Sequence, residues 1–83
     1  MDKFFVVAKL HTFLGATYTS RSDVALIESD AIKARDEFFA FFTKAKTEKM
    51  TGALGDDKFR VDISRVECIE IDLEEEINDA IGT

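Results

Sequence analysis

The chain has little of the chemistry that holds many small domains together. It has one cysteine in 83 residues, so an intramolecular disulfide and a cysteine-based zinc site are both excluded. A small domain without a disulfide framework is typical of a reducing compartment. Proline is absent and only four glycines occur, so we expect most of the chain in regular elements.

Long hydrophobic runs are also missing. No stretch approaches the ~20 apolar residues of a membrane span. The apolar run after Lys3 ends at Lys9, which argues against a signal peptide. Hydrophobic residues make up 46% of the chain, as in a globular protein, and the length allows one domain over residues 1–83. We therefore expect a single cytoplasmic domain, in the host cytoplasm if the chain is viral.

Basic residues are missing from one end of the chain. The segment 66–83 contains no lysine or arginine but seven acids, so the net charge of −6 arises there. These acids are Glu67, Glu70, Asp72, Glu74, Glu75, Glu76 and Asp79. A one-sided acidic surface attracts basic partners and repels nucleic acid and anionic membranes.

The first third of the chain predicts a β-hairpin. Residues 3–10 (KFFVVAKL) form an apolar run typical of a strand covered on both faces. Strand-tolerant residues continue to Tyr18, with a bulge or bend at Gly15. A turn signal at 20–23 (SRSD) then separates this run from a short strand at 24–28.

A long helix is predicted from near Asp30 to near Lys49, with Ser29 as its N-cap. Its apolar residues recur three or four positions apart, which is the spacing of one helix face. They are Ala31, Ala34, Phe38, Phe41 and Ala45, and Phe39 and Phe42 widen the stripe.

Two short alternating segments follow the helix. Residues 51–58 are predicted as a loop, and residues 59–63 and 68–73 each alternate apolar and polar side chains, with a phase break between them. A second hairpin is the expected arrangement, and one long bulged strand is the alternative. Residues 74–81 can form a short closing helix. The order ββ-α-ββ predicts an α+β fold, with one long amphipathic helix on an antiparallel sheet of about four strands.

The alternation in 68–73 places Glu70, Asp72 and Glu74 on one face of a strand, ~6.7 Å apart. Two base steps of DNA rise ~6.8 Å, so this row could imitate phosphates. The alternative is a solvated sheet face whose charges prevent aggregation. The acids lack the alternation and glycine of a calcium-binding loop, so no metal site is predicted.

No side chains suggest catalysis. His11 has no partner pattern for a catalytic base, and Cys68 is expected to be buried and inert in a strand. The glycines of 51–58 lack a phosphate-loop signature. We therefore predict a protein that is not an enzyme and has no cofactor. Direct nucleic-acid binding is disfavoured because the basic residues are scattered among acids.

The phenylalanines of the helix exceed what one sheet contact needs. Small domains often gain missing burial by oligomerising, so we predict a homodimer, with a monomer core as the alternative. The predicted dimer interface consists of Phe38, Phe39, Phe41 and Phe42.

These features predict a small acidic protein-binding module. The partner-binding residues are the seven C-terminal acids, and the expected partner is a basic protein. In its sharpest form, the protein inhibits a DNA-binding protein by mimicking DNA, as phage and mobile-element proteins of similar size and charge do, an analogy of class alone. The alternative is a structural or assembly component that joins a larger complex through its Phe-rich face or a sheet edge.

Overall fold

The computed structural model describes residues 2–55 and 58–77. In chain order its elements are β1 (Lys3–Thr12), β2 (Thr17–Arg21), β3 (Leu26–Ile27), α1 (Glu28–Thr47), β4 (Ala53–Gly55), β5 (Arg60–Asp62), a 3₁₀ turn (Ile63–Arg65) and β6 (Val66–Glu75). The predicted α+β class is confirmed, because one helix packs on a four-stranded antiparallel sheet.

β1 is the central strand of the sheet. β6 runs antiparallel along almost its whole length, from Phe4 opposite Glu75 to His11 opposite Cys68. Two short strands share the other edge of β1, since β2 pairs with residues 7–11 and β3 with residues 3–4. β6 is therefore the one strand of this sheet that supports β1 from end to end.

The sheet has a helix face and an open face. Directly paired residues project to the same side of the sheet. Leu10 and its partner Ile69 are buried with residues of α1, so the side chains on their side of β1 and β6 face the helix. The open face carries the alternate residues: Phe5, Val7, Lys9 and His11 on β1, Cys68, Glu70, Asp72 and Glu74 on β6, and Thr17, Thr19 and Arg21 on β2. Most of β1 is only half-buried, so the predicted cover on both faces is wrong.

α1 begins two residues before the predicted start. Its N-cap is Ile27, which makes no side-chain capping bond, so Ser29 is not the cap. Acids in the first turn and lysines in the last turn complement the helix dipole. No helix among the described residues is both long and apolar enough to cross a membrane.

The helix faces the sheet with Phe42 rather than Phe41. Ala31, Phe42 and Ala45 are buried and Phe38 packs against the core, whereas Phe41 is 45% exposed. Adjacent residues of a helix are about 100° apart, so only one of two neighbouring phenylalanines can point at the sheet. The predicted place of Phe41 in the buried stripe is therefore wrong.

The first hairpin turns earlier than predicted. Its turn lies at residues 13–16, where Thr12 bonds to Ala16 through both main chain and hydroxyl. Gly15 adopts a φ of 90°, which glycine tolerates best, and this reverses the chain where a bulge or bend was predicted. The segment 20–23 instead contains the end of β2 and the start of its link to β3.

The segments 59–63 and 68–73 do not pair with each other, nor do they form one strand. β5 lies within the predicted strand 59–63 and pairs in a separate small hairpin with β4, which lies inside the segment 51–58 predicted as a loop. At Gly55 (φ 152°) an added Cβ would overlap the carbonyl oxygen of Phe59, so this hairpin requires glycine. The 3₁₀ turn then leads the chain into β6.

The hydrophobic core lies at the end of the sheet closed by the β4–β5 hairpin. Its buried members are Leu10, Phe42, Ala45, Leu54, Val61, Ile63, Val66 and Ile69. The opposite end is half-covered, and there β6 runs to Glu75, across the start of the predicted closing helix. The remainder of that helix lies outside the described residues.

Candidate protein-binding strand

The pleat of β6 divides the C-terminal acids between two faces. Glu70, Asp72 and Glu74 share the open face, as predicted, and all three are exposed. Glu75 lies opposite Phe4 on the helix side, at the end of the strand. Glu67 lies at the irregular start of β6, and Glu76 follows the strand and donates its N–H to Lys3 O at 2.8 Å. Asp79 lies outside the described residues.

Basic side chains interrupt the row of acids on the open face. His11 Nε2 lies 3.2 Å from Glu70 Oε1, and Arg21 Nη2 lies 2.9 Å from Glu74 Oε1. Lys9 is the residue of β1 directly opposite Glu70, whereas Asp72 is opposite uncharged Val7. The row is therefore partly neutralised, and Asp72 is its most uncompensated member.

His11 and Cys68 lie directly opposite each other on β1 and β6. The His11 ring also contacts β2, with Nδ1 3.1 Å from Thr17 Oγ1. Cys68 is exposed, so its predicted burial is wrong. Cys68 shares the open face with Glu70 and Asp72, so the pleat of β6 exposes its thiol, and the register shifts just beyond it, between His11 and Thr12. Within residues 2–55 and 58–77, no cluster of three or more potential metal ligands occurs.

The outer edge of β6 presents main-chain groups of alternate residues. In an antiparallel ladder, successive residues direct their N–H and C=O alternately towards and away from the neighbouring strand. The bond from Glu76 N to Lys3 O sets the phase, so Ile69, Ile71 and Leu73 direct these groups outward. In the described part of the chain, no strand pairs with this edge.

An apolar groove runs beside the same edge, on the helix side. It has a volume of about 580 Å³ and lies between α1 and β6. Phe39 and Ala40 line it from the helix, and Ile69 and Ile71 line it from the strand. Three charged residues complete its lining: Arg35, Asp36 and Glu70. Phe39 is 53% exposed, so the groove offers an accessible aromatic surface next to the outward-facing main chain.

The four phenylalanines of the predicted dimer interface occupy three different environments. Phe42 is in the core, and Phe38 packs against it. Phe39 and Phe41 are exposed, but two residues of helix separate them by about 200°, so they lie on opposite flanks of the buried stripe. Only Phe39 borders the groove beside β6.

No family model, curated protein or solved structure matches this chain. The site is therefore defined by its own geometry: the exposed acidic face of β6, the outer edge of that strand, and the groove between β6 and α1. Sequence reasoning found the acids and named a sheet edge as an alternative contact surface, but it did not assign that edge to β6 and it missed the groove. The concentration of acids on one strand was the available signal, because edge strands commonly carry charge.

Proposed function

We propose that this protein is a protein-binding module that docks β6 on a basic partner protein. The observation that supports it most is the exposed row of Glu70, Asp72 and Glu74 on a strand whose outer edge is open among the described residues. Complementary charge raises association rates and excludes acidic competitors such as nucleic acid. A DNA-binding protein is a partner class with such a basic surface, and covering that surface would inhibit it.

Mimicry of a DNA backbone is the weaker form of this proposal. A phosphate track has no side chains of its own molecule bound along it, whereas His11 and Arg21 contact two of the three acids here. Lys9 places a positive charge beside that of Arg21 on the same face. A contact through the strand and its edge is therefore better supported than imitation of a duplex.

Paired charge reversals test the proposed function. Asp72 and Glu75 lie opposite the apolar residues Val7 and Phe4, so replacing both by lysine leaves the ion pairs of the sheet intact. Asp23→Lys with Glu37→Lys makes the same charge change at exposed positions elsewhere. Each immobilised protein is exposed to a cell lysate at 0.1 M and 1 M salt, and retained proteins are identified by mass spectrometry.

We expect the wild type and the control to retain the same basic protein at 0.1 M salt, and the Asp72/Glu75 variant to lose it. The retained basic protein should be released at 1 M salt, because the electrostatic screening length falls from ~10 Å at 0.1 M to ~3 Å at 1 M. Duplex DNA should compete for the captured protein if its DNA-binding surface is covered. Equal retention by both variants would contradict the proposal.

A role as an assembly component is the second candidate. It is favoured by apolar side chains exposed outside β6: Phe41 is 45% exposed, and Phe13 and Leu14 at the β1–β2 turn are 62% and 89% exposed. A second copy or a larger complex that covers these residues would bury apolar surface. Stoichiometric incorporation into a particle would favour this role over the first.

A further inference from the structure

We infer that the partner binds by adding an antiparallel strand to the outer edge of β6, and that this strand alternates basic and apolar residues. The inference deepens the proposed function and rests on it. It commits to one kind of occupant, an extended basic segment of another protein.

The main chain of β6 fits strand addition. Ile69, Ile71 and Leu73 direct their N–H and C=O outward at alternate positions, as the phase of the β1–β6 ladder requires. An antiparallel partner would pair with all three, extending a sheet that is already antiparallel throughout. Recognition of this kind takes its affinity from main-chain bonds and its specificity from alternate side chains.

The two faces of the edge specify those alternate side chains. Partner residues opposite Ile69 and Ile71 would point to the helix side, where Phe39 lines the groove, so apolar side chains fit there. Partner residues opposite Glu70, Asp72 and Glu74 would point to the open face. These are the non-hydrogen-bonded positions, where cross-strand side chains come closest, so lysine or arginine fits there.

Charge excludes a second copy of β6 from this edge. If Ile71 of two copies paired with each other, Glu70 of one strand would lie opposite Asp72 of the other. Like charges directly opposite are destabilising, and charged edge strands resist edge-to-edge pairing. The same acids repel nucleic acid, which leaves a basic polypeptide as the complementary occupant.

Synthetic peptides test the inference without disturbing the protein. The probe is a capped, fluorescein-labelled heptapeptide, Val-Lys-Val-Lys-Val-Lys-Val, and its control has the same composition with all valines before all lysines. Two further versions each carry two N-methyl groups, one version on the two internal valines and the other on the first two lysines. In antiparallel pairing, the valine nitrogens face β6 and the lysine nitrogens face away.

Binding is measured by fluorescence anisotropy at low salt. We expect the alternating peptide to bind about tenfold more tightly than the block peptide, and valine methylation to remove that difference because it deletes main-chain bonds. Lysine methylation should leave binding within about twofold. Amide hydrogen exchange at Ile69, Ile71 and Leu73 should slow when the alternating peptide binds.

Two exposed phenylalanines of α1 provide a matched pair on the protein side. Phe39→Ala should weaken binding of the alternating peptide about threefold or more, because Phe39 lines the groove. Phe41→Ala should not, because Phe41 lies on the opposite flank of the helix. Equal effects of the two substitutions would contradict the groove contact.

The outcomes separate this inference from the proposed function. Equal binding of alternating, block and valine-methylated peptides would mean that charge alone attracts the probe. Strand addition would then be wrong, and the proposed function would still stand. Loss of binding on lysine methylation would also overturn antiparallel addition. If the Asp72/Glu75 variant retains the lysate partner, the proposed function itself fails, whatever the peptides do.

Discussion

Arg21 on β2 reaches across β1 to Glu74 on β6, with Nη2 2.9 Å from Oε1. Its guanidinium lies 4.0 Å from the centroid of the Phe5 ring, and Phe5 is the β1 residue directly opposite Glu74. Arg21 thus covers an aromatic ring and neutralises one acid of the open face. Because Arg21 and Glu74 are about half exposed, an ion pair of this kind contributes only about 0–1 kcal/mol.

Replacing Arg21 by glutamine should make β6 a faster binder of basic partners. The substitution frees Glu74 and removes a positive charge from the binding face, and such charges act mainly on the association rate. Stopped-flow measurements at low salt with the Val-Lys heptapeptide should show a higher rate constant than for the wild type. Arg60→Gln, which removes the same charge from β5, should change the rate much less. An equal rise in both variants would show that only the net charge matters.

Phe42 and Phe41 should differ sharply in their contribution to stability. Phe42 is 7% exposed and belongs to the core, so Phe42→Ala should lower the free energy of unfolding by about 3–5 kcal/mol. Phe41→Ala should change it by about 0.5 kcal/mol or less. Urea unfolding followed by circular dichroism measures both. If Phe42→Ala leaves no folded protein, Phe42→Leu provides a milder comparison, and similar losses at the two positions would contradict the helix orientation.

Asp62 should make stability depend on pH in acid. Its Oδ1 accepts hydrogen bonds from Ser64 N at 2.9 Å and Ser64 Oγ at 2.8 Å. These bonds favour the ionised form, so they hold the pKa of Asp62 below its ordinary value. A lowered folded-state pKa stabilises the protein at pH above the unfolded pKa of ~3.9, and this stabilisation is lost as the pH falls through the folded value.

The test compares the wild type with Asp62→Ala in urea at several pH values. The difference in the free energy of unfolding should be constant from pH ~7 to ~5 and should shrink below ~4. Ser64→Ala, which removes only the hydroxyl bond, should show a smaller version of the same trend. A difference that stays constant into acid would show that the carboxylate's charge is not involved.

The homodimer stays a prediction, and the structure sharpens its test. Sedimentation equilibrium should give twice the 9.3 kDa of one chain. We expect Phe41→Ser to reduce the mass to that of one chain, because Phe41 is exposed away from the groove. Asp72→Lys should leave the dimer intact, because the predicted interface is on the helix. Two β6 edges would not pair, since their acids would lie opposite each other. A wild-type mass of one chain would contradict the dimer.

Local patterns predicted the helix and most strand segments, but not which segments pair. The apolar run at 3–10 and the alternation at 68–73 were visible in the sequence, yet their pairing depends on contacts across nearly the whole chain. The first turn was misplaced because a single Gly15 reverses the chain, whereas the more polar signal at 20–23 only links β2 to β3.

The candidate site shows the same limit. The acids of β6 were evident from composition and their shared face from alternation, and both follow from the chain's local chemistry. Their contact partners His11 and Arg21 come from other strands, so no local pattern predicts those contacts. The groove depends on where α1 crosses β6, and that position is set by Phe42 rather than Phe41.

The pairing of β1 with β6 also dictates the order in which the sheet can form. The paired residues are 54 to 71 positions apart, so this ladder is of high contact order and should close late. During synthesis β1 emerges before β6, and the apolar edge that β6 will cover is unpaired until β6 leaves the ribosome. Its arrival replaces an edge of Phe5 and Val7 with one of Asp72 and Glu74, so aggregation should be a hazard of the nascent chain more than of the finished fold.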